Sequence, residues 1–257
     1  MLMRFVPGVC LCLGLVGCAS WQAQDEAEPL LAVDPVVQTP WAKASLPQLD
    51  AKPWQHMPLP GKRATEFKPA FVDGRQAMAV TAVSSASMLR KQVHVKPDDL
   101  GQLRFSWMVP ALMAGSDMAL RDADDAPVRV VLAFDGDRSK FSSKNAMLSE
   151  MARMLTGEDM PYATLMYVWC NERQAGSVIH NPRTDRIRKL VVESGADRLG
   201  QWVDYQQDIR ADFVRAYGEK PGALIAVGIM TDSDNTRSTT QAWYGPLRML
   251  PASMRTP

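Results

Sequence analysis

The sequence predicts a mainly β fold, an antiparallel two-sheet sandwich with one or two short helices packed on it. Three observations carry that prediction. Apolar residues recur at every second position in short runs, turn residues bound those runs, and the helical segments do not alternate with strands in the regular rhythm of a parallel βαβ fold. About 200 residues are available for the core, an ordinary size for one all-β domain.

The elements follow in chain order. "MLMRFVPGVCLCLGLVGCAS" places Arg4 before an apolar stretch from Phe5 to Val16, with small residues ahead of Cys18. The stretch is too short to cross a bilayer and is broken by Pro7 and Gly8, so residues 1–17 read as a secretory leader. Leu15-Val16-Gly17-Cys18 resembles the bacterial lipobox, which makes Cys18 the expected lipidation site and the membrane the expected first partner. Ala19 after the cysteine points to the periplasmic side of the outer membrane. Residues 18–53 are rich in Ala, Gln, Asp and Pro and read as a flexible tether, with one domain following over 54–257.

Within that domain, "QAMAVTAV" aligns Met78, Val80 and Ala82 on one side. "MLRKQVHV" aligns Leu89, Val93 and Val95, with Lys91 as the odd member of the row. "QLRFSWMV" alternates most clearly: Leu103, Phe105, Trp107 and Val109 face one way, Arg104 and Ser106 the other, as in a sheet solvated on one side. "VRVVLAFDG", "YATLMYVWC", "IRKLVVES", "ALIAVGIM" and "TQAWYGPLRML" complete about eight strands. Ser142–Leu155 reads as a helix with Met147, Leu148, Met151, Met154 and Leu155 toward the sheet and Gly157 past its end. A second helix carries Ile209, Phe213, Val214 and Tyr217 and stops at Gly218.

Composition excludes several functions. The chain holds 29 Lys and Arg against 28 Asp and Glu, and losing Arg4 with the leader leaves it neutral. There is no basic stripe to neutralise phosphates, so nucleic acid is not an expected partner. Of four cysteines, Cys10 and Cys12 leave with the leader and Cys18 is acylated. Cys170 therefore has no disulfide partner and reads as a small buried hydrophobe. Three histidines and no Gly-x-Ser-x-Gly, His-Glu-x-x-His or Cys-x-x-Cys remove the common hydrolase and zinc signatures.

Two acidic clusters remain. Asp122, Asp124 and Asp125 stand directly before a strand, and Asp232, Asp234 and Asn235 directly after one. Oxygen ligands of this kind suit a hard cation, with Ca²⁺ at Asp232 and Asp234 as the candidate metal site, although the spacing is not that of an EF-hand. The same residues also cap strand ends through Asx-turns without any ligand. Trp107 and Trp169 lie on apolar strand faces, whereas Trp202, Trp243 and Tyr244 are candidates for an exposed, sugar-binding surface.

Several segments together, "RDADDAPVRVVLAFDG", "LMYVWCN", "KLVVESG", "LGQWVDYQQDIRADFVRAYGEKPG" and "AVGIMTDSDNTRSTTQAWYG", resemble the bacterial family known as domain of unknown function 3047. The resemblance runs from about Trp54 to Leu250 and departs at Gln207-Asp208, where Arg-Asn is expected. It implies a secreted or periplasmic domain, similar in outline to jelly-roll ligand-binding modules, without an assigned activity. Three readings stay open. The first is a lipid-anchored envelope protein binding a glycan or other envelope component through Asp124, Asp125, Asp232, Asp234, Asn235, Trp202, Trp243 and Tyr244. The others are a carboxylate-dependent glycan hydrolase or lyase, and a structural scaffold.

Overall fold

The computed structural model describes residues 35–49, 52–250 and 252. The leader, Cys18 and the first part of the expected tether lie outside these residues. Val33–Pro257 forms one compact unit. Its strands are β1 (Gln55–Pro58), β2 (Glu66–Val72), β3 (Arg75–Val83), β4 (Ala86–Val95), β5 (Gln102–Met108), β6 (Ala126–Phe134) and β7 (Ala163–Cys170). They continue as β8 (Val178–His180), β9 (Ile187–Ser194), β10 (Trp202–Asp208), β11 (Leu224–Asp232), β12 (Thr239–Tyr244) and β13 (Arg248–Leu250). Three helices are α1 (Pro40–Ala44), α2 (Ser143–Thr156) and α3 (Ile209–Tyr217).

A seven-stranded sheet has the order β1-β4-β11-β6-β7-β9-β8, and a six-stranded sheet has the order β10-β5-β12-β3-β2, with β13 beside β5. All pairings are antiparallel except β7 with β9. That parallel pair is possible because residues 171–186 supply a crossover long enough to bring the chain back in the same direction. The inward rows of both sheets meet in one core. Met78, Val80 and Ala82 from β3, and Leu103 and Trp107 from β5, are fully buried, opposite Val128, Val130, Leu132 and Phe134 of β6. Lys91 keeps its place in the inward row of β4, where its Nζ donates to Leu46 O at 3.1 Å.

Two expectations need correction. The tether was expected to reach residue 53, but Val36, Trp41, Ala42 and Leu46 belong to the core. Trp41 packs on Trp54 at 4.8 Å between ring centroids, and Leu46 N donates to Leu247 O at 2.8 Å. The composition of this stretch hides two large apolar side chains among its prolines.

The second correction concerns α2. Its bounds are as expected, with Ser142 Oγ accepting from Asn145 N and Gly157 closing the helix at φ +75°. Its orientation is reversed. Asn145 and Ser149 are the buried residues, while Met147, Met151, Met154 and Leu155 are exposed, Met154 by 85%. Asn145 fixes this roll by donating to Asp185 Oδ1 at 2.6 Å and accepting from Thr184 Oγ1 at 2.8 Å. In α3 the stripe points inward as expected through Ile209 and Phe213, and only Val214 turns to solvent.

Candidate functional site

The two acidic clusters meet because β6 and β11 are neighbours in register. Asp232, the last residue of β11, pairs with Ala126, the first of β6. Between the clusters stands Arg129, on the outer face of β6. Its Nε donates to Asp232 Oδ1 at 2.8 Å and its Nη2 to Asp232 Oδ2 at 3.0 Å. The same Nη2 reaches Asp124 Oδ1 at 3.1 Å. Lys189 of β9 comes from the other side, with Nζ at 2.7 Å from both Asp124 oxygens and from Met118 O. Asn181 Nδ2 completes the shell of Asp124 at 3.1 Å.

All four charged side chains are buried, Lys189 completely. Each of the four has an opposite charge within hydrogen-bond distance, which makes their burial tolerable. Burial lifts Asp232 to about 6, with Arg129 opposing the shift. Burial, together with the nearby Arg129, lowers Lys189 to about 8. Burial also works against the charge on Arg129, but Asp232 and Asp124 outweigh it and hold the guanidinium above its ordinary range.

A pH dependence follows. From the ordinary 3.8 up to about 6, folded Asp232 holds a proton that the unfolded chain has released. The stability that this group contributes therefore falls as pH rises through that window. Urea titrations of the parent and Asp232→Asn at several pH values should show their stability difference shrinking from pH 4 to 6; a constant difference would contradict the lifted value.

The other acids are also engaged. Asp125 is fully buried and accepts from Asn235 N at 3.2 Å, Thr236 N at 2.6 Å and Thr236 Oγ1 at 2.7 Å, which ties the turn after β11 to the start of β6. Asp234 pairs with Lys62, and Asn235 Nδ2 donates to Arg121 O at 2.9 Å. Asp125, Asp232 and Asp234 each offer one oxygen within 4.8 Å of the others, so the cluster could hold a metal ion.

The outer face of the six-stranded sheet carries a different set. Trp202 of β10 and Trp243 of β12 both pair with Met108 of β5, so the three stand in one row. Val203, Ala242 and Tyr244, their chain neighbours, are buried in the core, so both tryptophans face outward and are half-buried. Two strand spacings separate them, roughly 10 Å. Beside the row, a groove of about 360 Å³ is lined by Arg104, Asp204, Gln206 and Arg248 among others. Arg75 bonds Asp204 at 2.8 and 3.1 Å and lies 5.3 Å from the Trp202 ring centroid, which leaves Trp243 the freer ring.

The protein-family model for a protein of unknown function, DUF3047, matches residues 52–248. This chain belongs to the DUF3047 family. No curated protein matches it. Solved structures include the xyloglucanase domain of NopAA, a type three effector from Sinorhizobium fredii, in complex with cellobiose, at 9% identity and TM-score 0.39 over 77% of this chain and 92% of that one. Another is a mutant of the family 29 carbohydrate-binding module CBM29-2 complexed with mannohexaose, at 10% identity and TM-score 0.30 over 80% and 99% of the two chains. Neither likeness is close enough to transfer a residue.

In this DUF3047 protein the expected site is therefore split. Asp124, Asp125, Asp232, Asp234 and Asn235 gather at one end of the seven-stranded sheet, and Trp202 and Trp243 lie on the outside of the six-stranded sheet. Tyr244 corrects the expectation of an exposed ring: it is fully buried, and its hydroxyl donates to Met230 O at 2.6 Å and accepts from Arg129 N at 3.1 Å. Arg129 and Lys189, which hold the acids together, were not among the expected residues. The available signal was a single arginine inside the otherwise apolar run "VRVVLAF", where a buried charge requires a partner.

Proposed function

We propose that this chain is a ligand-binding β-sandwich and not an enzyme, held at the periplasmic side of the outer membrane by lipid on Cys18. Its ligand is an envelope glycan, taken on the outer face of the six-stranded sheet. The observation that carries the ligand is the row Trp202, Met108, Trp243 beside a groove rich in planar polar side chains. Indole rings stack on sugar faces, and guanidinium, amide and carboxylate groups bond hydroxyls. The address rests on the apolar leader ending in Leu15-Val16-Gly17-Cys18.

The hydrolase or lyase reading lacks a free pair of carboxylates in the cluster, because Asp124 and Asp232 share one guanidinium. The calcium expected at Asp232 and Asp234 would sit with Asp125 in competition with Arg129 and Lys62, and the geometry favours these resident cations.

Calorimetric titration of the Val33–Pro257 unit with cello- and manno-oligosaccharides should give saturable binding, weakened at least about tenfold by Trp243→Ala. No binding to any glycan of the envelope would leave the scaffold reading in its place, and binding untouched by Trp202→Ala with Trp243→Ala would remove the ligand from this face.

A further inference from the structure

Helix α2 carries its apolar stripe on the outside. It lies over the outer face of the seven-stranded sheet, where its Ala152 and Thr156 share a groove with Met88 and Val131. Met147, Met151 and Met154 recur at the i, i+4 and i+7 spacing of one helix face, with Leu155 beside them. These four side chains are between 48% and 85% exposed. They make up half of the large apolar side chains turned to solvent among the described residues, so the exposure is concentrated in one place. Asn145 holds the stripe there, because rolling it under would break the bonds to Asp185 and Thr184.

The position of the stripe names what covers it. The first described turn of the chain, Pro35–Gln38, packs against β1 and β2. The last turn of α2 also stands beside β1, where Leu155 and Thr156 share a second groove with Gln55, His56 and Met57. Sixteen residues, Ala19–Asp34, separate Cys18 from that entry point. Fully extended they span at most about 60 Å. A domain of this size is itself roughly 45 Å across. On so short a leash the domain stays at the surface its lipid occupies, with the β1 edge held nearest.

The chemistry of the stripe agrees. Anchors at protein interfaces are enriched in Trp, Tyr and Arg, and α2 carries no aromatic ring. Unbranched thioether chains adapt to a neighbour with no fixed shape, which describes acyl chains at the headgroup boundary.

We infer that α2 is a second membrane contact, lying in the plane of the lipid surface with Met147, Met151, Met154 and Leu155 sunk into the headgroup boundary. The inference rests on the lipid anchor proposed for Cys18 and adds which face of the domain meets the bilayer. The glycan face, on the opposite sheet, is left open. A helix contact of this size is weak alone, and the tether supplies the local concentration that makes it count.

The test uses the mature chain with Cys18→Ser, which takes no lipid, and vesicles of phosphatidylethanolamine and phosphatidylglycerol at millimolar lipid. The chain should sediment with the vesicles in a saturable way. Met151→Gln with Met154→Gln, which keeps helix propensity, should weaken the partition at least about tenfold. Leucine at the same two positions should preserve it. A nitrobenzoxadiazole label on Met154→Cys should shift to the blue only when vesicles are added, and the buried Cys170 should stay unlabelled. No sedimentation with vesicles, or sedimentation unchanged by the two glutamines, overturns the inference. So does a blue shift without lipid, which would mean that a second copy of the chain covers the stripe. Fractionation of cells making the wild-type chain tests the anchor separately. A chain released from membranes there, with vesicle binding still sensitive to the two glutamines, would strike the anchor and leave the helix contact standing.

Discussion

Arg129→Met should destabilise the domain by about 3–5 kcal/mol, because it strips the shared cation from Asp124 and Asp232 in a place where water cannot replace it. For a domain of this size the melting temperature should fall by roughly 6–20 °C. The loss comes mainly from the carboxylate left behind and much less from the net worth of the pair. Adding Asp232→Leu to Arg129→Met should therefore recover a large part of it, since Asp124 still has Lys189. A thermal or urea melt of the two single variants and the double variant measures this coupling. A loss below about 1 kcal/mol in Arg129→Met would mean that water enters the cluster and screens it.

The second large effect is expected at Trp41. Trp41→Ala should cost about 3–5 kcal/mol, the range for removing a large buried aromatic side chain. Trp41 is fully buried, packs on Trp54, and belongs to the core shared by both sheets. The measurement is again the urea melt, set against Trp243→Ala on the half-exposed outer face, which should cost far less. A tether, as composition alone reads this stretch, would tolerate the change with no shift in midpoint.

These two residues also mark what could and could not be read from the chain. Period-two alternation located β3 and β5 and their inward rows because each side chain's face depends only on its own strand. The helix stops at Gly157 and Gly218 were equally legible, being local chemistry. Pairing between distant strands was not. Nothing in "RDADDAPV" or "MTDSDNT" indicates that β6 and β11 lie side by side, so the meeting of their acids appears only in three dimensions. The same holds for α2. Its methionine spacing correctly defines an apolar stripe, yet Asn145, bonded to Asp185 and Thr184, decides which way the stripe points. The expected tether failed for a different reason, since proline content describes the backbone and not the fate of Trp41 and Leu46.

The strand order also has a kinetic consequence. β11 lies between β4 and β6 at the centre of one sheet, and β12 joins β5 to β3 in the other. Both sheets therefore receive a central strand from the last part of the chain, and loops of more than a hundred residues must close before either is complete. Until Leu224–Asp232 arrives, β4 and the wholly apolar inward row of β6 expose open edges of the type that recruits other chains. Folding of this domain should accordingly be slow and nearly all-or-none, and a chain cut before β11 should aggregate and not form half a sandwich.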